Sequence, residues 1–232
     1  MRAEYYTEVL YPIQDKVITE FRDSPFYLTG GTALSRGYYN HRYSDDLDYF
    51  VNDHPDFQRI TKKQIEKLTL IFPDLEIDKE ETNFARVFVE KNNLKIELIN
   101  DVPSRIGKLV DHPVLGILDS KDNILANKLT ALIGREEPKD MVDIFFLLRD
   151  GLDIKKALLD ADSKAAGISP LFIAKLLTDF DYGLIEQNIH WVKPVSAKIM
   201  KDYLKGVALN IVNGQEQVQY PEQDIEHKRR HR

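Results

Sequence analysis

The sequence predicts an α+β protein: a mixed sheet with helices in the N-terminal half, followed by a C-terminal helical bundle. Three observations predict it. Short apolar segments of strand length recur between Phe26 and Ile99. From about Asp119 the apolar residues recur instead at three- and four-residue spacing, the period of a helix face. Gly and Pro then punctuate the chain at Gly134, Gly151, Gly167-Ile168-Ser169-Pro170 and Lys193-Pro194. The expected organisation is a sheet-bearing core over residues 1–118, a helical domain over 119–212 and a polar, flexible tail over 213–232.

In chain order, residues 5–22 place Val9, Leu10, Ile13, Val17, Ile18 and Phe21 at amphipathic-helix spacing, for packing on the sheet that follows. Pro25 restarts the chain. Phe26-Tyr27-Leu28 reads as a short strand entering a Gly30-Gly31 turn, where only glycine takes positive φ cheaply. Thr32 is placed to cap the next helix, residues 33–39, whose N-terminus then faces the turn. Residues 47–51 form a second strand and 56–71 a charged surface helix. Further strands are expected at 75–79, 84–91 and 94–99, the last two joined by a tight Asn92-Asn93 turn. Downstream, Ile124, Leu125, Lys128, Leu129 and Leu132 mark a helix that Gly134 ends as a C-cap. A second begins at Pro138 and carries Met141, Ile144, Phe145 and Leu148. Shorter helical patterns occupy 154–161, 170–180 and 196–212.

Composition excludes several classes. At 232 residues and 43% apolar content the chain can bury a sizeable core. No run approaches the roughly eighteen apolar residues that span a bilayer, and the N-terminus lacks a signal-peptide core, so a cytoplasmic protein without a membrane partner is expected. Without Cys there is no disulfide framework or thiolate zinc site, and the six His show no metal-ligand spacing. A net charge of −6 argues against a surface that is basic all over. Lys62, Lys63 and Lys67, and Lys198, Lys201 and Lys205, read as solvated faces, or as RNA tracks if they flank the site.

The chemistry concentrates at Asp46-Leu47-Asp48. Side chains alternate along a strand, so both carboxylates point one way and Asp45 the other. The bland alternative is a solvent-facing strand edge. Core-like Leu47, Tyr49 and Phe50 oppose it, because concentrating like charge on a half-buried strand calls for a cation. Mg²⁺, or Mn²⁺ in its place, takes hard carboxylate oxygens and keeps substrate phosphates in its shell. With the Gly30-Gly31-Thr32 turn at a helix N-terminus, the pair points to a site for a metal-bound triphosphate.

Four segments occur in order: Leu28-Thr29-Gly30-Gly31-Thr32-Ala33-Leu34, Ser44-Asp45-Asp46-Leu47-Asp48-Tyr49-Phe50, Lys95-Ile96-Glu97-Leu98, and Lys128-Leu129-Thr130-Ala131-Leu132 with Arg135, Lys139-Asp140 and Asp143. Over about residues 20 to 150 this arrangement resembles the AbiEii/AbiGii toxin family of nucleotidyltransferases. The resemblance implies a DNA polymerase β-like nucleotidyltransferase core using a nucleoside triphosphate (NTP) with Mg²⁺. It also implies a toxin of a toxin–antitoxin or phage-defence pair, with a cognate antitoxin as partner and the acceptor end of tRNA as target. It matches Glu97 to a third carboxylate, as metal ligand or base, beside the reading as an ordinary strand position. It sends Lys128 to the triphosphate with Arg135 or Lys139 in support, where spacing alone reads a snorkelling cation. Asp140 and Asp143 match a KD-x-x-D motif that contacts nucleotide or orients basic residues, or they simply favour the positive end of their helix.

The expected catalytic residues are thus Asp46, Asp48, Glu97 and Lys128, with Asp46, Asp48 and Glu97 as metal ligands. The expected NTP-binding residues are Gly30, Gly31, Thr32, Lys128, Arg135, Asp140 and Asp143. The expected reaction is in-line attack on an α-phosphate with pyrophosphate leaving. Two other readings stand beside it: nucleotidylation of a small molecule such as an aminoglycoside or of a protein hydroxyl, and a non-catalytic nucleotide- or partner-binding protein.

Overall fold

The computed structural model describes residues 2–89, 91, 94–165 and 167–214; the Asn92-Asn93 turn and residues 215–232 of the expected tail lie outside them. The chain opens with Arg2–Glu4, a π-helical run Tyr5–Leu10 and α1 (Tyr11–Phe21), whose Val17, Ile18 and Phe21 are buried as their spacing predicts. β1 (Tyr27–Thr29) leads into α2, which starts as Gly30–Thr32 and widens into a π-helical run Ala33–Tyr39. Asn40, at φ 48, ends that run in the left-handed region that Asn tolerates. There follow β2 (Leu47–Asn52), α3 (Phe57–Ile71), β3 (Glu76–Glu80), β4 (Phe84–Val89), β5 (Leu94–Asp101), β6 (Val110–His112) and β7 (Gly116–Leu118).

These strands make one mixed sheet in the order β3-β4-β5-β2-β1-β7-β6. β2 and β5 run parallel, as do β1 and β7; the other neighbours are antiparallel. Alternation decides the two faces. Leu47, Tyr49 and Val51 of β2, Ala85, Val87 and Val89 of β4, and Leu94, Ile96 and Leu98 of β5 are all buried. Phe21 of α1 stacks on Tyr49 at 3.7 Å between ring centroids. The opposite face carries Asp48, Phe50, Arg86, Lys95, Glu97 and Ile99, each half-buried. Phe50 therefore shares the face of the acids instead of joining the core, because it lies two residues from Asp48.

The second half is helical as expected: α4 (Lys121–Gly134), α5 (Pro138–Arg149), α6 (Ile154–Lys164), α7 (Pro170–Asp179), α8 (Gly183–Asn188) and α9 (Ala197–Asn213). Side chains of Ser120, Asp153, Ser169 and Ser196 cap α4, α6, α7 and α9. α4 ends where Gly134 predicted, but not by a left-handed glycine. Gly134 is its last helical residue, and Arg135 leaves in extended backbone at φ −157. The β6–β7 hairpin and α8 are elements the sequence reading did not include; strands of three residues and a six-residue helix are too short to show a period. Apolar residues of sheet and helices join in one connected cluster. Among the described residues no helix is long and apolar enough to cross a membrane.

Candidate active site

A cavity of about 530 Å³ is walled by the acid-bearing strands, the start of α2, the loop before β2 and one side of α4. Parallel pairing sets Asp48 beside Glu97, and antiparallel pairing sets Thr29 opposite Asp48. The chain reverses at once into Gly30, at φ +66, where a Cβ would lie 2.3 Å from Asp48 Oδ2. A Cβ on Gly31 would lie 2.6 Å from Arg42 Nη2. Both glycines are thus required by close approach, and Gly30 by its backbone as well.

The acids differ in their partners. Glu97 accepts a hydrogen bond from Arg86 Nε at 2.7 Å and forms an ion pair with its Nη2 at 2.7 Å. Lys95 Nζ stands 3.2 Å from Asp46 and 3.4 Å from Glu97. Among the described residues no hydrogen bond or ion pair reaches the Asp48 carboxylate. Burial, and then the charges of Glu97 and Asp46, push its pKa up to about 6. Hard carboxylate oxygens, those of Asp48 uncompensated, are the donor type that Mg²⁺ or Mn²⁺ takes. In the arrangement described, the Lys95 ammonium stands between those of Asp46 and Glu97. Among the described residues no three His, Asp or Glu side chains are grouped closely enough to ligate a metal together. Asp45 also reaches the cavity wall, where it accepts a hydrogen bond from the Tyr6 hydroxyl at 2.7 Å.

Beneath the cavity lies a buried ionic network. Asp143, fully buried, accepts from Arg42 Nε at 2.8 Å and Nη2 at 2.7 Å, meets Lys128 Nζ at 2.7 Å and holds His41 Nε2 at 2.9 Å. Asp140, equally buried, accepts from Lys128 Nζ at 2.6 Å and Arg135 Nε at 3.0 Å. Burial opposes the Lys128 charge, but Asp143 and Asp140 outweigh it and hold its pKa above the ordinary lysine value. Burial lowers His41, with Asp143 opposing only in part, which keeps the imidazole neutral. Three cations thus face two carboxylates, and the surplus positive charge belongs to Arg42, Lys128 and Arg135, all on the cavity wall.

The structure brings Gly30, Gly31, Asp46, Asp48, Glu97, Lys128 and Arg135 to one cavity. It does not bring Thr32, Asp140 or Asp143. Thr32 is buried inside α2 and neither lines the cavity nor caps the helix; its hydroxyl donates to the Asp46 carbonyl, bracing the turn against the strand entry. Asp140 and Asp143 are off the wall, so of the expected alternatives the geometry matches orientation of basic residues, not contact with nucleotide. Arg42 and Lys95 also line the cavity, with no site role expected for either from the sequence. The two lysine runs do not line the cavity, and Lys198 pairs with Asp202.

Residues 15–207 match a family described as nucleotidyl transferase AbiEii toxin, type IV toxin–antitoxin system. An uncharacterized protein of Aquifex aeolicus is 28% identical over 208 residues, covering 82% of this chain and 94% of its own. The crystal structure of JHP933 from Helicobacter pylori has the same fold at 19% identity and a TM-score of 0.56, covering 88% of this chain and 91% of that one. MenT4, a nucleotidyltransferase toxin from Mycobacterium tuberculosis, is similar at 14% identity and a TM-score of 0.55, covering 90% and 84%.

Proposed function

Because the chain belongs to the AbiEii nucleotidyltransferase toxin family, we propose that it moves a nucleoside monophosphate from an NTP to a hydroxyl at the acceptor end of tRNA. In this reading it is the toxin partner of an antitoxin and works in the cytoplasm, with residues 1–118 as transferase core and 119–212 as helical domain. The observation that carries the reading is the Asp48–Glu97 pair, set in register against a glycine turn and facing Arg42 and Lys128 across one cavity.

Gly30 and Gly31 let Asp48 and Arg42 close on the turn, and the N–H groups at the start of α2 would receive the β- and γ-phosphates beside them. Arg42, Lys128 and Arg135 neutralise their charge and that of departing pyrophosphate; Asp140 and Asp143 hold Lys128 and Arg135 in place beforehand. Asp46, Asp48 and Glu97 would hold Mg²⁺ or Mn²⁺, which supplies charge neutralisation at the α-phosphate. The acceptor oxygen bonds to the α-phosphorus as the bond to the pyrophosphate oxygen breaks, and the hydroxyl proton passes to Glu97 as the base. Positioning and charge complementarity carry the barrier reduction, since little covalent chemistry is asked of the protein.

The test is pyrophosphate release from each of the four NTPs with Mg²⁺, with and without total tRNA, for wild type, Asp46→Ala and Asp48→Ala. Release that needs tRNA and both carboxylates is the expected result. Release that both variants retain removes the site, and release indifferent to tRNA and to RNase moves the acceptor to a small molecule or protein.

A further inference from the structure

The cavity has two chemically different ends. One is charged, with Gly30, Gly31, Arg42 and Lys128. The other lies two residues further along β2 and β5, where Phe50 and Ile99 are register partners on the same face as Asp48 and Glu97. Two strand residues span roughly 6.6–7 Å. α4 contributes Ile124 and Asn127 to the same wall, on the N-terminal side of Lys128. Phe50, Ile99 and Asn127 are half-buried and Ile124 is buried. Among the described residues the Asn127 side-chain amide makes no hydrogen bond, although it carries two donor hydrogens and an acceptor oxygen. Open to the cavity and held by no described protein partner, this amide can exchange solvent for a ligand without breaking a bond within the protein.

We propose that Phe50, Ile99 and Asn127 form the subsite for the base of the NTP, Phe50 as the stacking surface and Asn127 as the group that reads the base edge. A nucleobase needs this combination: an apolar surface for its π face and a directional donor–acceptor pair for its rim. The direction follows from the chemistry of the other end. With the terminal phosphates at the glycines and the α-phosphate beside Asp48 and Glu97, the nucleoside extends away from the glycines, toward Phe50. Asn127 is then a specificity-determining residue. This assignment rests on the nucleotidyl-transfer reading above.

The experiment is equilibrium binding of each NTP and of inorganic tripolyphosphate, with Mg²⁺ and without any acceptor. Wild type should favour one base by about tenfold or more. Asn127→Ala should bind the four NTPs within about threefold of one another, with tripolyphosphate unchanged. Phe50→Ala should weaken every NTP by about tenfold and leave tripolyphosphate unchanged, which also reports an intact charged end. A wild-type ranking that survives in Asn127→Ala, or equal binding of all four NTPs by wild type, overturns the proposal. So does a loss of tripolyphosphate binding that matches the loss of NTP binding. Failure of the wild type to bind either NTP or tripolyphosphate overturns nucleotidyl transfer itself.

Discussion

Replacing Asp143 by Asn keeps the shape of the side chain and removes its charge from the centre of the buried network. The carboxylate meets Arg42 through two nitrogens at 2.8 and 2.7 Å, Lys128 at 2.7 Å and His41 at 2.9 Å, with no solvent to take its place. Removing one partner of a buried ion pair costs about 3–5 kcal/mol, because the remaining charge stays desolvated. A chain of this size loses about 2–4 °C of unfolding temperature per kcal/mol, so the midpoint should fall by about 6–20 °C. Its pH dependence identifies the cause. Burial opposes ionisation of Asp143, but Arg42 and Lys128 outweigh it and hold the pKa well below the usual carboxylate range. A depressed native pKa gives stability that is present above the unfolded value, about 3.9, and is lost only as the pH falls through the native one. The deficit measured by calorimetry should therefore be constant from pH 8 to about 5 and close only in stronger acid. A midpoint loss below about 3 °C refutes the reasoning. So does a deficit that shrinks between pH 8 and 6, which would assign the effect to His41.

Three further outcomes are expected. Gly30→Ala carries a left-handed penalty of about 1–2 kcal/mol and drives a methyl into the Asp48 carboxylate, so melting temperature and pyrophosphate release should fall together; a stable, active variant would show that the close approach is dispensable. Burial and the neighbouring acids raise Asp48 to about 6, so its charge costs stability above that pH and the cost fades towards pH 4. Asp48→Asn should accordingly melt higher than wild type at pH 7.5, gain less at pH 5 and release no pyrophosphate; a lower melting temperature at pH 7.5 contradicts this. Lys95 competes with a cation for Asp46 and Glu97, so Lys95→Met should bind Mn²⁺ about tenfold more tightly by titration. Unchanged or weaker binding would make Lys95 a group that assembles the acids instead.

What was legible in the sequence follows from what is local. The period of two through Leu47, Tyr49 and Val51 fixed the face of Asp48, and paired glycines marked the turn against it. The same rule puts Phe50 on the acid face, two residues from Asp48, against the core expectation that its aromatic ring invites. Lys128 was visible as a cation inside an apolar stripe, but the three-residue spacing of Asp140 and Asp143 states only that they share a helix face. Whether that face meets a cavity or a buried lysine depends on how α4 packs on α5. Arg42 had no local signal at all. Its position is set by the π-helical run, by Asn40 at positive φ, and by a backbone partner from the far end of the chain. β7 is similarly non-local, a three-residue strand that exists beside β1.

That distant partner has a consequence for when the protein becomes competent. Arg42 bridges to Trp191, Tyr43 N–H donates to the His190 carbonyl, and the His41 carbonyl accepts from Val192 and Lys193. The Lys193 ammonium also reaches the Tyr39 carbonyl, across 154 positions of sequence. During synthesis, at about 5–20 residues per second, the glycine turn and the acid pair emerge early, whereas residues 41–43 meet the backbone of residues 190–193 only once that segment has left the ribosome. For a chain of a toxin family this orders assembly in time: Asp143 can engage the Arg42 guanidinium first, but the backbone that carries it is clasped only later, and a nascent chain cut short before that clasp carries an unfinished cavity wall.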